Sequence, residues 1–175
     1  IAGRLTSMRP PLMPFLIATV WRLTGTESLV AVRAIQVLLS LALVVLTYAL
    51  TLRLFNRQVG LIAATVVAFY PSFLFSSVLL LTELPFTVLV LVMVLCFDRF
   101  LETRNLWLAV GCGTALGLAA LTRSVLWPFV PFLALFFAAA SRVPWRRRLG
   151  AALLCVLGYS LVVGPWAVRN SRLRT

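Results

Sequence analysis

The stretch SLVAVRAIQVLLSLALVVLTYALTL, Ser28 to Leu52, carries one charged residue, Arg33, in 25 positions. A helix crosses the hydrocarbon core of a bilayer in about 20 residues, with a range of about 17 to 25. This stretch meets that length, and it sets the reading of the rest. Beyond it, further apolar segments follow: 59–81 with Pro71 inside it, 84–97, 106–122, 125–140 and 149–168. Four of the six segments have spanning length; 84–97 and 125–140 are short and need flanking residues or a thinner bilayer. The piece before them, PPLMPFLIATVWRLTG (10–25), is too short to span, opens with two prolines and carries Trp21 and Arg22. Proline suits a first helical turn, so a helix over 11–24 lying along the membrane surface is expected.

Composition agrees. The 175 residues are 62% hydrophobic and 11% charged, and a soluble domain this apolar would aggregate. The fold class expected is all-α, a polytopic bundle of about six transmembrane helices plus the interfacial helix, in one membrane domain over 1–175. All sixteen basic residues are arginine, against four acids (Glu27, Glu83, Asp98, Glu102), for a net charge of +12. The arginines sit between apolar runs and form no single patch, which fits membrane topology and not a nucleic-acid partner. Cys96, Cys112 and Cys155 all lie inside apolar runs, without ligand spacing and without any histidine. They read as small buried hydrophobes. The run GCGTALG (Gly111–Gly117) lacks the strand and the Lys-Ser/Thr of a phosphate loop. Gly111, Ala115 and Ala119 share a helix face and are expected to let another helix approach closely.

Six spans alternate sides. The linkers after the first, third and fifth spans hold Arg53, Arg57, Arg99, Arg104, Arg142, Arg146, Arg147 and Arg148, and the positive-inside rule places them in the cytoplasm. Glu83, Arg123 and the C-terminal RNSRLRT then face the other compartment, and Arg169, Arg172 and Arg174 oppose the rule. A carboxylate deep in lipid is costly. At the extracytoplasmic start of a helix, with Pro85 in the first turn, Glu83 instead gains about 0.3–1 kcal/mol from the helix dipole. A helix start alone therefore accounts for it. As a set with Arg9, Arg123 and Arg169 it also fits a binding role, since guanidinium forks hold phosphate and a carboxylate holds a hydroxyl, an amine or a metal. Each arginine alone reads equally as a snorkelling anchor.

SMRPPLMPFLIATVWRLTG, VRAIQVLL, AFYPSFLFSSVLLLTELPFTVLVLV, GTALGLAALTRSVLWPFVPFLAL and GPWAVRNSRL follow one another along nearly the whole chain. In that order they resemble the polyprenol-phosphate-sugar glycosyltransferases of bacterial family 39, relatives of protein O-mannosyltransferases and aminoarabinose transferases with the GT-C membrane fold. The resemblance implies sugar transfer, with inversion, from a polyprenyl-phosphate donor to an extracytoplasmic acceptor. It also implies a multi-pass location in the cell inner membrane among membrane lipids. It matches Arg9 to a residue that helps hold the lipid phosphate and Glu83 to an acid near the site or its metal. Arg123 and the block Pro165, Trp166 and Arg169 match further positions. It fixes no cofactor; a divalent metal ion at Glu83 stays open, as do partner membrane chains. In the family the principal catalytic acid precedes the Arg-Pro-Pro block, and here no acid precedes Glu27. The chain is accordingly read as a piece of a longer protein, without a catalytic residue of its own to name. A non-catalytic membrane subunit and a transporter with helices broken at Pro71, Pro128 and Pro131 are the competing readings.

Overall fold

The computed structural model describes residues 10–140 and 143–172. Among them the regular structure is helical: α1 (Leu12–Thr24), α2 (Leu29–Leu54), α3 (Arg57–Ala68), α4 (Pro71–Val78), α5 (Glu83–Thr103), α6 (Leu106–Thr122), a 3₁₀ turn (Ser124–Leu126), α7 (Phe129–Ala139) and α8 (Trp145–Arg172). An all-α membrane bundle is what the sequence called for. Three of these helices, α2, α5 and α8, are long and apolar enough to cross a membrane. Only 17% of the most apolar window of α2 is buried inside the protein. Large apolar side chains such as Val30, Leu41, Val45, Ile62, Leu153 and Leu161 point outward. A surface of that kind is stable against lipid and not against water.

The element boundaries have local causes. Ser28 caps α2 by accepting the Ala31 N–H, Asn56 caps α3 through the Val59 N–H, and Asn105 caps α6 through the Trp107 N–H. The apolar stretch 59–81 is two helices, α3 and α4. Pro71 stands at the first position of α4 and Tyr70 before it is extended, because proline has no N–H to continue a helix and crowds the residue before it. Neither half reaches spanning length alone. In contrast, α5 runs on past Phe97 to Thr103, giving 21 residues.

The chain packs as two compact units, 12–95 and a second of residues 10–11 and 96–172, with α5 contributing to both. In the first unit α1 folds back on α2, bringing Met13 beside Gln36. Helix α3 returns along α2, where Gly60 leaves room for the Tyr48 ring. The core forms where Leu84 and Val88 of α5 meet Leu43 of α2, flanked by Leu39, Leu46, Val67, Phe73, Leu91 and Val92. Residues 84, 88, 91 and 92 make one stripe at helical spacing, and that stripe sets the rotation of α5.

In the second unit Phe97 and Phe100 of α5 pack edge-on against Phe137 of α7, each pair of ring centroids 4.9 Å apart. Helices α6 and α8 make the closest approach. Gly113 faces the Cys155 carbonyl and the Tyr159 N–H, Gly117 faces Tyr159 and Val162, and Gly158 faces the Val110 carbonyl. Residue numbers rise together on the two helices, so they run parallel, with α7 as the return. Close packing through small residues was expected along Gly111, Ala115 and Ala119. Ala115 and Ala119 are buried and Gly111 looks toward Cys96 of α5, while the seam with α8 follows Gly113 and Gly117. All three cysteines lie in helices outside any disulfide, and Cys112 and Cys155 are buried.

Candidate functional site

Glu83 is the first residue of α5, and Thr82 precedes it with its carbonyl accepting the Phe86 N–H. Its neighbour Leu84 is fully buried in the first unit's core, which fixes the helix and turns Glu83 toward α4. There Ser72 donates to Glu83 Oε2 at 3.2 Å, and Ser76, one turn on, shares its single hydroxyl proton between that oxygen, also at 3.2 Å, and the Ser72 carbonyl. Ser76 is fully buried, and its hydroxyl also lies 2.6 Å from the Ser72 carbonyl. The carboxylate is thus half-buried, oriented by two hydroxyls and placed at the positive end of a helix dipole. Within its own unit the side chains that meet the carboxylate are these two serines.

The turn that presents Glu83 is itself under constraint. Leu80 has φ +54°, the left-handed region that disfavours a side chain. It follows the last turn of α4, and the Leu81 N–H reaches back to the Ser76 carbonyl at 3.2 Å, a Schellman-type closure with leucine where glycine is usual. Gln36 of α2, fully buried, donates from Nε2 to the Leu81 carbonyl at 3.4 Å. One buried amide thereby pins the turn one residue before Thr82.

In the second unit the parallel run of α6 and α8 brings their C-terminal ends together, and with them Arg123 and Arg169. Arg123 stands just past α6, extended and exposed, its backbone N–H closing the helix on Ala119. Arg169 is exposed in the last turn of α8, where the helix dipole favours a cation. Between these ends sits Trp127, held three ways: its indole N–H donates to Ala120 O at 3.2 Å, its carbonyl accepts the Tyr159 hydroxyl at 3.2 Å, and its ring meets Trp166 edge-on at 5.0 Å. The first of these bonds occupies one of the carbonyls that the end of α6 leaves without a helical partner. Arg9 lies outside the described residues.

A calcium site gathers several protein oxygens, whereas magnesium is held by one or two carboxylates with water and substrate phosphate supplying the rest. Among the described residues no three His, Cys, Asp or Glu side chains converge. Glu83 supplies one carboxylate, with two serine hydroxyls beside it.

Sequence reasoning found the charges and missed what holds them. Ser72 and Ser76 were visible as two serines one turn apart in PSFLFSSV, and Gln36 as a lone amide in an apolar run. Trp127, Tyr159 and Asn170 gave no pattern of their own. Comparison with curated proteins and with solved structures returned no match. The family model for dolichyl-phosphate-mannose-protein mannosyltransferase matches residues 8–168. Over nine-tenths of its length, then, on a helical frame with lipid-facing sides, the chain belongs to that family, a membrane glycosyltransferase family of the GT-C type.

Proposed function

We propose that the chain is part of a multi-pass inner-membrane enzyme that moves a sugar from a polyprenyl-phosphate donor to an acceptor hydroxyl outside the cytoplasm. The observation that carries the reading is the pairing of ends in the second unit. Two exposed arginines, Arg123 and Arg169, stand at the same end of the parallel helices α6 and α8. A lipid phosphate lies at the boundary of the hydrocarbon, the depth at which helix-end arginines reach. In the reaction the acceptor oxygen bonds to the anomeric carbon as the bond from that carbon to the phosphate oxygen breaks. The acceptor's proton passes to a base, and the departing phosphate keeps the bonding electrons and gains negative charge. Guanidinium groups fixed in place beforehand stabilise that charge as it develops. Arg9 joins this role by resemblance.

In the first unit, Glu83 is assigned a positioning part. Two serines already orient its carboxylate, so it accepts a hydrogen bond from a substrate hydroxyl with little reorganisation.

The test is binding of sugar-free polyprenyl phosphate to the full-length protein in nanodiscs. Arg123→Gln and Arg169→Gln should each weaken it about tenfold, the cost of about one charge-assisted contact. Arg147→Ala, in the arginine-rich start of α8, should leave it unchanged. Affinities unmoved by both first substitutions would remove these arginines from the phosphate site.

A further inference from the structure

At the C-terminal end of α8 a cavity of about 310 Å³ is lined by Trp127, Trp166, Ala167, Asn170 and Ser171. Neither the arginine pair nor Glu83 accounts for it. Asn170 is only 7% exposed, and its Oδ1 has no hydrogen-bond partner among the described residues. A buried amide oxygen left unpaired costs stability, and a packed apolar residue would avoid that cost. A group that remains buried, polar and unpaired on a cavity wall is accounted for when a ligand completes it.

We propose that this cavity is a subsite for one sugar ring. The inference rests on the glycosyl-transfer reading and names where the sugar sits. Three features select the chemistry. The unpartnered atom is an acceptor, Asn170 Oδ1, and a substrate hydroxyl can donate to it. Two indoles at 80° to each other offer an aromatic face whose negative charge suits the C–H side of a pyranose. The volume lies at the small end of ligand pockets, about 300–1,000 Å³, which holds a ring and not a polyprenyl tail. An isoprenoid unit would fill the space and leave Asn170 unpaired. A phosphate would bring its oxygens against the amide oxygen, acceptor facing acceptor. Trp127 is fixed by Tyr159 and by Ala120, so the wall is formed before the ligand arrives.

The experiment uses the full-length protein in nanodiscs and a panel of methyl pyranosides, with binding followed by saturation-transfer NMR and tryptophan emission. At least one pyranoside should bind in the millimolar range. Asn170→Leu should weaken it tenfold or more, while raising the melting temperature or leaving it unchanged. Trp166→Ala should weaken it as well, and Asn170→Ala serves if the leucine variant does not fold. Sugar-free polyprenyl phosphate should bind both Asn170 variants as it binds the parent, which separates failure here from failure of the arginine site. Displacement of the pyranoside by the intact lipid-linked sugar marks the subsite as the donor's, and no displacement marks it as the acceptor's; either supports a sugar site. The proposal is overturned if no pyranoside binds, if Asn170→Leu binds as well as the parent, or if that variant loses sugar-free polyprenyl phosphate to the same degree.

Discussion

Helices α6 and α8 meet through Gly113, Gly117 and Gly158, where backbone lies against backbone, whereas α4 and α5 meet through Ser72, Ser76 and Glu83, where two hydroxyls reach one carboxylate oxygen. The two regions are held by different means and should fail differently. At a glycine contact the limit is hard: a single added carbon at Gly113 would collide with the Cys155 carbonyl, and neither helix backbone can give way cheaply. At the α4–α5 turn the energy is spread over several hydrogen bonds, each worth about 0.5–1.5 kcal/mol net and more when one partner is charged. Loss of one leaves the others. The first arrangement is rigid and suits a frame that holds Arg123 and Arg169 at one end. The second can lose one bond and keep the others, and it carries the substrate contact proposed for Glu83.

The largest effect is expected from Gly113→Val. It should cost about 3 kcal/mol or more by overpacking and leave little monodisperse protein on size exclusion in detergent. Gly150→Ala, in the same α8 but with open space where its Cβ would go, should be neutral or slightly stabilising. Equal behaviour of the two variants would mean that the α6–α8 contact is looser than described, and the contrast between the two regions would fall.

A smaller effect is expected at Glu83. Glu83→Ala removes the acceptor of the Ser72 hydroxyl and one of the two acceptors of Ser76, and should destabilise by about 1–2 kcal/mol, read as a lower melting temperature. Glu83→Gln keeps an acceptor oxygen and should lie within about 0.5 kcal/mol of the parent. Sugar transfer by the intact protein then sorts the two roles. A fall in transfer with Glu83→Gln at unchanged stability assigns work to the charge; normal transfer makes Glu83 a helix start and nothing more.

The smallest effect is at Leu80. Its φ of +54° costs a side-chain residue about 1–2 kcal/mol that glycine does not incur. Leu80→Gly should therefore stabilise by about 0.5–1 kcal/mol, after the greater freedom of glycine in the unfolded chain is subtracted. Chemical unfolding monitored by far-ultraviolet circular dichroism checks the sign. A destabilised variant would show that the Leu80 side chain contributes packing that outweighs its backbone strain.

The class of this protein was legible in its amino-acid sequence, because one-dimensional quantities suffice for it: the length of an apolar run against the thickness of a bilayer, and the placement of arginines between runs. The helix start at Glu83 was legible too, since a carboxylate before Leu-Pro has a local reason to be there. Even the break at Pro71 could be read as a proline inside an apolar run, although the division into two short helices required the extended backbone at Tyr70. The rest came only from packing. Which glycines of α6 meet α8 depends on helix rotation, and in a helix that is apolar all round nothing along the chain marks a face. That Ser72 and Ser76 serve Glu83, that Gln36 reaches Leu81 and that Asn170 Oδ1 is buried near Trp127 without a partner among the described residues are encounters between separate segments of the chain. Their energies are those of short-range hydrogen bonds and contacts, which come into being only when packing brings the groups within about 3 Å of one another.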